Sequence, residues 1–206
     1  MQVLSLLSRK GGTGKSTCAR AIAVEALLAK RRVGLIDADE QGTVTMWGKR
    51  RPHAAPTIFS TRDGPIEKHL EALRKLGADL VVIDTPPNVQ PIINIAVAQA
   101  DAAIIVSGVF PDDLEQVSVL VDMLRKLGKT SGIILNRTPT RASSLNLARS
   151  ALATFGLPIA PQAISQLVAH PYASAGGLTA SEWEPDGKGA QELHRVFAWL
   201  KKEGFV

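Results

Sequence analysis

Short apolar runs recur along the chain, each followed by a longer stretch whose apolar positions return every three or four residues. The runs at residues 3–7, 33–36, 57–59, 80–83, 102–106 and 132–135 scarcely alternate with polar residues. Unbroken apolarity of this kind belongs to strands covered on both faces, as in a parallel sheet. A seventh run at 157–160 is read as a further strand. Between the runs, Ile66, Leu70, Leu73 and Leu76 form one helical stripe, and Leu114, Val117, Val121, Leu124 and Leu127 form a second. Leu145, Ala148, Leu152 and Phe155 form a third, and Ala19, Ala21, Ile22, Ala23 and Leu27 mark a helix after the first run. Strand–helix alternation predicts an α/β fold: a doubly wound, mostly parallel sheet with helices on both faces and ligands at the carboxyl ends of the strands. No repeat or Pro/Gly/Ser-rich boundary divides the pattern, so residues 1–206 are read as a single domain.

Composition narrows the setting. With 45% hydrophobic and 21% charged residues, the chain has the make-up of a globular protein. No apolar run approaches the roughly 18–20 residues that span a bilayer. The opening MQVLSLL is not a signal peptide, because its positive charges follow the apolar run. A single cysteine, Cys18, makes no internal disulfide and no metal cluster of its own. These features fit the cytoplasm. The net charge of +5 fits either a solvated basic surface or a polyanion partner, and gains meaning only if a mechanism requires DNA.

The chemistry gathers where the first run ends. Gly11-Gly12-Thr13-Gly14-Lys15-Ser16 lies between a strand and a helix, where glycines let backbone N–H groups curl around an anion. Lys15 is then placed to neutralise phosphates, and the Ser16 hydroxyl to ligate Mg²⁺. The strict G-x-x-x-x-G-K-[ST] pattern wants glycine at position 9, which is Arg9. A plain turn is the ordinary alternative, but the strand before, the helix after and the density of glycine argue for phosphate binding. Asp84 ends the 80–83 run, as a Walker-B carboxylate would, to hold a magnesium-bound water. Asp37 and Asp39 follow the 33–36 run at alternate positions, which points them to opposite sides and to separate tasks. Lys10 is unexplained by a simple phosphate loop, which needs only Lys15.

The segment Lys10-Gly-Gly-Thr-Gly-Lys15-Ser16 resembles the deviant Walker A motif of the ParA/MinD ATPases, and the resemblance extends over essentially the whole chain. It implies the deviant Walker P-loop NTPase fold, ATP and Mg²⁺ as cofactors, and a signature lysine, Lys10, that reaches the nucleotide of the other subunit in an ATP-sandwich homodimer. Lys10, Gly11, Gly12, Thr13, Gly14, Lys15, Ser16 and Thr17 would wrap the phosphates. Asn136 and Arg137, closing the 132–135 run, would meet the base. Asp39 matches the switch-I residue that positions attacking water, so Lys10, Lys15 and Asp39 are the catalytic candidates. Ser16 would touch Mg²⁺ directly, and Asp37, Asp39 and Asp84 through water. The tail, with Gly176-Gly177-Leu178 and Gly187-Lys188-Gly189-Ala190 before Glu192, resembles the family's last loop and closing helix. Two positions depart from the pattern: Glu40 replaces the usual proline after Asp39, and Gln166 stands near a site where many relatives carry an arginine implicated in DNA binding.

Within that superfamily, one cysteine argues against iron–sulfur members, a single tyrosine against the tyrosine-kinase branch, and Asn136-Arg137-Thr138-Pro139 against guanine recognition. The signature lysine separates the chain from small-molecule ligases of this fold. The resemblance therefore implies a short ParA-type partition ATPase, without an N-terminal helix-turn-helix domain. As an ATP dimer it would bind double-stranded DNA nonspecifically, and a ParB-type, centromere-binding adaptor would stimulate its hydrolysis and release. Its place would be the nucleoid, and its cargo a plasmid or chromosome. A MinD-like membrane ATPase, and a ParA-like protein that positions a protein cluster or conjugation complex, are the alternatives. Residues 190–202 carry an apolar stripe of Leu193, Val196, Phe197 and Leu200, which is read as docking on the domain, so no membrane partner is expected. Arg141, Arg149, Lys188 and Lys201 are the candidate DNA-phosphate contacts.

Overall fold

Six of the apolar runs become strands: β1 (Gln2–Leu7), β2 (Val33–Asp37), β3 (Thr57–Ser60), β4 (Leu80–Asp84), β5 (Ala102–Ser107) and β6 (Thr130–Leu135). The helices are α1 (Lys15–Leu28), α2 (Thr43–Arg50), α3 (Ile66–Lys75), α4 (Gln90–Gln99), α5 (Pro111–Lys126), α6 (Ala142–Ala153), α7 (Ala169–Ala175), α8 (Ala180–Trp183) and α9 (Lys188–Lys202). The computed structural model describes residues 1–88, 90–139 and 142–206. The strands pair in the order β3-β2-β4-β1-β5-β6, and every pairing is parallel. The chain therefore reverses its direction of travel beside β1, and a crevice opens there at the carboxyl ends of the strands.

Helices cover both faces. Leu4, Leu6, Leu35 and Val82 turn toward α1, α2 and α9, where Ile22, Trp47 and Leu200 meet them. Ile105 and Ile133 on the other face pack with Val121 and Leu152, and Val81 and Ile83 with Leu70 and Leu73. This double cover explains why β2, β4 and β5 are buried at every position and read as unbroken apolar runs. The edge strand β3 has less cover, and Thr57 is exposed.

Two expectations from the sequence are corrected. Residues 157–160 do not form a seventh strand; Ile159 makes one isolated parallel bridge to Ile133. Pro158 and Pro161 bracket that bridge and lack the N–H groups a longer ladder would need. Leu76 and Leu127, placed in the helical stripes, are 62% and 50% exposed because each sits at a helix C-cap, past the last buried turn.

Helix α9 lies on α1 with Leu193, Val196, Phe197 and Leu200 all buried. Exposing those four side chains would forfeit roughly 6–12 kcal/mol, comparable to the whole stability of a typical domain. The stripe belongs to the core. Among the described residues, no helix is long and apolar enough to cross a membrane.

Candidate functional site

The loop from β1 to α1 is a cradle held from behind. Gly12 and Gly14 take φ values of 81° and 84°, which side chains rarely adopt, and a Cβ on Gly14 would collide with Asn136 Nδ2. That amide nitrogen donates to the Thr13 carbonyl at 2.8 Å and, more weakly, to the Gly14 carbonyl at 3.4 Å. Arg137 donates to the Gly12 carbonyl. Asn136 and Arg137, expected beside a base, here hold the loop. Helix α1 has no side-chain cap, so its first N–H groups are left for an anion. Arg9, in the place of the usual glycine, reaches Asn88 Oδ1 at 3.4 Å.

The cradle opens into a cavity of about 770 Å³, lined by residues 11–17, by Arg20, Asp39, Gln41 and Pro87, and by Asn136, Arg137 and residues 165–168. Its size and mixture of phosphate-binding and apolar walls suit a nucleotide. Lys15 is only 6% exposed; burial lowers its pKa, while Asp84 and Asp39 pull the other way. Asp84 is fully buried at the end of β4, and burial pushes its pKa up to about 7, against the Ser16 hydroxyl and Lys15. Neither of its oxygens has a hydrogen bond of good geometry. An orphaned buried carboxylate beside a phosphate cradle fits a hydrated cation. Among the described residues no group of three His, Cys, Asp or Glu could hold a metal alone, so Mg²⁺ here would draw its remaining ligands from water and phosphate.

The two carboxylates at the end of β2 have different surroundings. Strand register sets Asp37 beside Asp84, but the Asp37 carboxylate is engaged with α2, accepting from Thr45 N at 2.7 Å and Thr45 Oγ1 at 2.8 Å. Asp39 lines the cavity and accepts from Gln41 N at 2.9 Å. Glu40 offers its carbonyl to Arg62, so a side chain holds this loop.

Lys10 does not line the cavity. Its Nζ is 2.9 Å from Asp113 Oδ1 at the start of α5, with side-chain exposures of 45% and 10%. That hydrogen bond raises the Lys10 pKa. Asp113 escapes sequence reasoning because an acid in a helix's first turn is commonplace.

The proposed DNA contacts are dispersed. Arg149 is half-buried and donates to the Pro161 carbonyl at 2.8 Å; burial lowers its pKa. Pro161 and Lys188 line a second cavity of about 390 Å³, along with Arg195. Lys188 faces Glu192 at 3.8 Å, and Glu192 in turn accepts from Ser165 N and Ser165 Oγ, both at 2.7 Å. Lys201 is exposed near the end of α9, about 20 Å along the helix from Lys188. Arg141 lies outside the described residues. Sequence reasoning also missed Arg20, and the place of residues 165–168 in the cavity wall; the local signal for Arg20 was that it is one of two charges, with Glu25, in the otherwise apolar stretch Cys18–Ala26 of α1.

Known proteins resemble this chain in sequence and in fold. A family model described as the CobQ/CobB/MinD/ParA nucleotide binding domain matches residues 4–179. A carboxysome distribution protein of Gloeobacter kilaueensis, named "Maintenance of carboxysome distribution protein A", is 34% identical, covering 98% of this chain and 93% of its own. The MinC:MinD cell division protein complex of Aquifex aeolicus superimposes with a TM-score of 0.80 at 18% identity, covering 98% of this chain and 96% of its counterpart. An ATP complex of McdA from Cyanothece superimposes with a TM-score of 0.75 at 20% identity, over 100% and 97% of the two chains. At those identities the two structures speak for the fold.

Proposed function

The chain belongs to the CobQ/CobB/MinD/ParA nucleotide-binding family, and from that premise we propose that it is a slow, dimerising ATPase that distributes a large protein body over a DNA surface. The observation that carries this reading is the 34% identity to a carboxysome distribution protein across 98% of the chain, joined to an uncapped P-loop helix facing a nucleotide-sized cavity. A protein cluster is one of the cargoes the sequence leaves open; this relative moves it ahead of a plasmid or chromosome.

In this reading Lys15, the loop amides and Ser16 bind the phosphates of ATP, while Asp39 orients the attacking water. Mg²⁺, held by Ser16 and through water by Asp84, would neutralise phosphate charge; Asp37, whose Oδ2 is held by Thr45, would join through water on Oδ1. Lys10 leaves Asp113 and reaches across the dimer to the partner's nucleotide. Two subunits double every weak phosphate contact with DNA, so binding follows ATP. An adaptor on the cargo stimulates hydrolysis and release.

Burial of the α9 stripe against α1 supports this reading over the membrane alternative. A test is deletion of the gene in its host, with the protein bodies and the plasmids each imaged through fluorescent labels. Clustered or unevenly inherited bodies with stable plasmids support the reading. Plasmid loss with evenly spaced bodies would return the cargo to DNA.

A further inference from the structure

Arg20 is a cation in the wall of the nucleotide cavity that joins no ion pair among the described residues. It is 7% exposed and lies one turn into α1 beyond Ser16. Its Nε donates to the Ser16 carbonyl at 3.0 Å, Nη2 to Thr17 Oγ1 at 3.1 Å, and Nη1 to Ser174 Oγ on α7 at 2.7 Å. Its guanidinium carbon stands 5.7 Å from the centroid of the Trp47 ring. Among the described residues no carboxylate lies within ion-pair distance of it.

Arg51 supplies the contrast. It packs on the same Trp47 ring at 4.5 Å, but Glu182 takes its guanidinium in a two-pronged pair at 2.8 and 3.1 Å. One buried arginine is neutralised in contact; the other touches only neutral oxygens and a ring, and the carboxylates of Asp84 and Asp37 act on it from beyond ion-pair distance. Burying a charge without a partner is costly, and such a group persists where a ligand completes it. Burial does lower the Arg20 pKa, to about 10, which still leaves it charged at neutral pH.

We propose that the phosphate chain of the bound nucleotide is the missing counter-ion of Arg20, and that Arg20 aims the Thr17 hydroxyl at that chain. The inference rests on the nucleotide-site reading above. Thr17 Oγ1 spends a lone pair on the Arg20 N–H, so its own proton is directed elsewhere and is free to donate to an anion. Thr17 and Arg20 both line the cavity. Arg20 is thus a positioning residue for Thr17, and it also adds a second fixed positive charge to that of Lys15.

Calorimetric titration with Mg-ADP, which avoids hydrolysis, tests this on the full chain, beside thermal melting without nucleotide. Arg20→Met is expected to weaken ADP by about tenfold, the scale of removing one charge-assisted hydrogen bond, while the nucleotide-free melting temperature stays level or rises. Arg20→Lys keeps the charge but cannot bridge the same oxygens, and should recover part of the affinity. Thr17→Val should weaken ADP as well, and Arg20→Met in the Thr17→Val background should cost less than it does alone. A purely structural staple gives the opposite pattern: a lower melting temperature with ADP affinity within twofold of the parent. That result, or full additivity of the two substitutions, would overturn the assignment. A parent protein that binds no ADP would overturn the nucleotide reading itself, and this inference with it.

Discussion

Lys10 and Asp113 of the same subunit form an ion pair at 2.9 Å that ties the flank of the P-loop to the first turn of α5. The pair holds the second lysine outside the nucleotide cavity, whereas Lys15 is buried within it. If Lys10 serves the partner's nucleotide, closing the dimer must open this pair.

Two substitutions test that exchange. Lys10→Gln should bind ADP within about twofold of the parent and yet form no ATP-dependent dimer by light scattering. Asp113→Asn removes the competitor and should lower the protein concentration needed for dimers, by up to about fivefold, the worth of a partly exposed ion pair. Normal dimers from the Lys10 variant would assign this lysine to the monomer alone.

The chemistry of the cavity separates binding from turnover. Lys15→Ala should abolish measurable ATP binding, because the cavity loses its main cation. Asp39→Ala should still bind ATP but hydrolyse it at least about a hundredfold more slowly, the low end of the range for removing a general-base or water-orienting group. The dimer should then persist on a sizing column run in ATP. Wild-type phosphate release from the Asp39 variant, with the adaptor present, would move the water-positioning role to another residue.

Asp84 makes a pH prediction. Its folded pKa, about 7, is raised above the ordinary value of 3.8 by burial. Between those values the unfolded chain loses a proton that the folded chain keeps, so stability falls as pH rises from about 4 to 7. Asp84→Asn removes this penalty. Without nucleotide or Mg²⁺, it should melt several degrees above the parent at pH 8, with the gap closing toward pH 4, since 1 kcal/mol is worth about 2–4 °C at this size. A constant gap across that range would show that the carboxyl is not the group being titrated.

DNA binding should require ATP, ignore sequence and weaken steeply with salt. Arg149 holds the Pro161 carbonyl and Lys188 faces Glu192, so substitutions there mix charge removal with rearrangement. Lys201, exposed near the end of α9, is the cleaner probe. Lys201→Ala should weaken all duplexes alike and lower the log–log salt slope by about 0.9 for each phosphate that the lysine neutralises in the parent. Unchanged affinity across a salt titration would place the DNA surface elsewhere, and flotation with liposomes in place of DNA binding would restore the membrane alternative.

What the chain declares locally is the frame of the site. Six strands, the glycine loop, Lys15 and Ser16 at the head of α1, and Asp84 at a strand end are all written in neighbouring residues, because burial on two faces forces unbroken apolar runs and phosphate binding needs a contiguous loop. The order β3-β2-β4-β1-β5-β6 is not local, and every contact that depends on it was decided by the tertiary structure. Asn136 reaches Thr13 from 123 residues away, Arg20 reaches Ser174 from 154, and Lys10 finds Asp113 across the β1–β5 side of the crevice. Asp37 meets Thr45 only eight residues on, because α2 starts over the end of the strand it follows. Periodicity records which face of an element is buried, but a directional bond between distant polar groups exists only once the strands have chosen their neighbours.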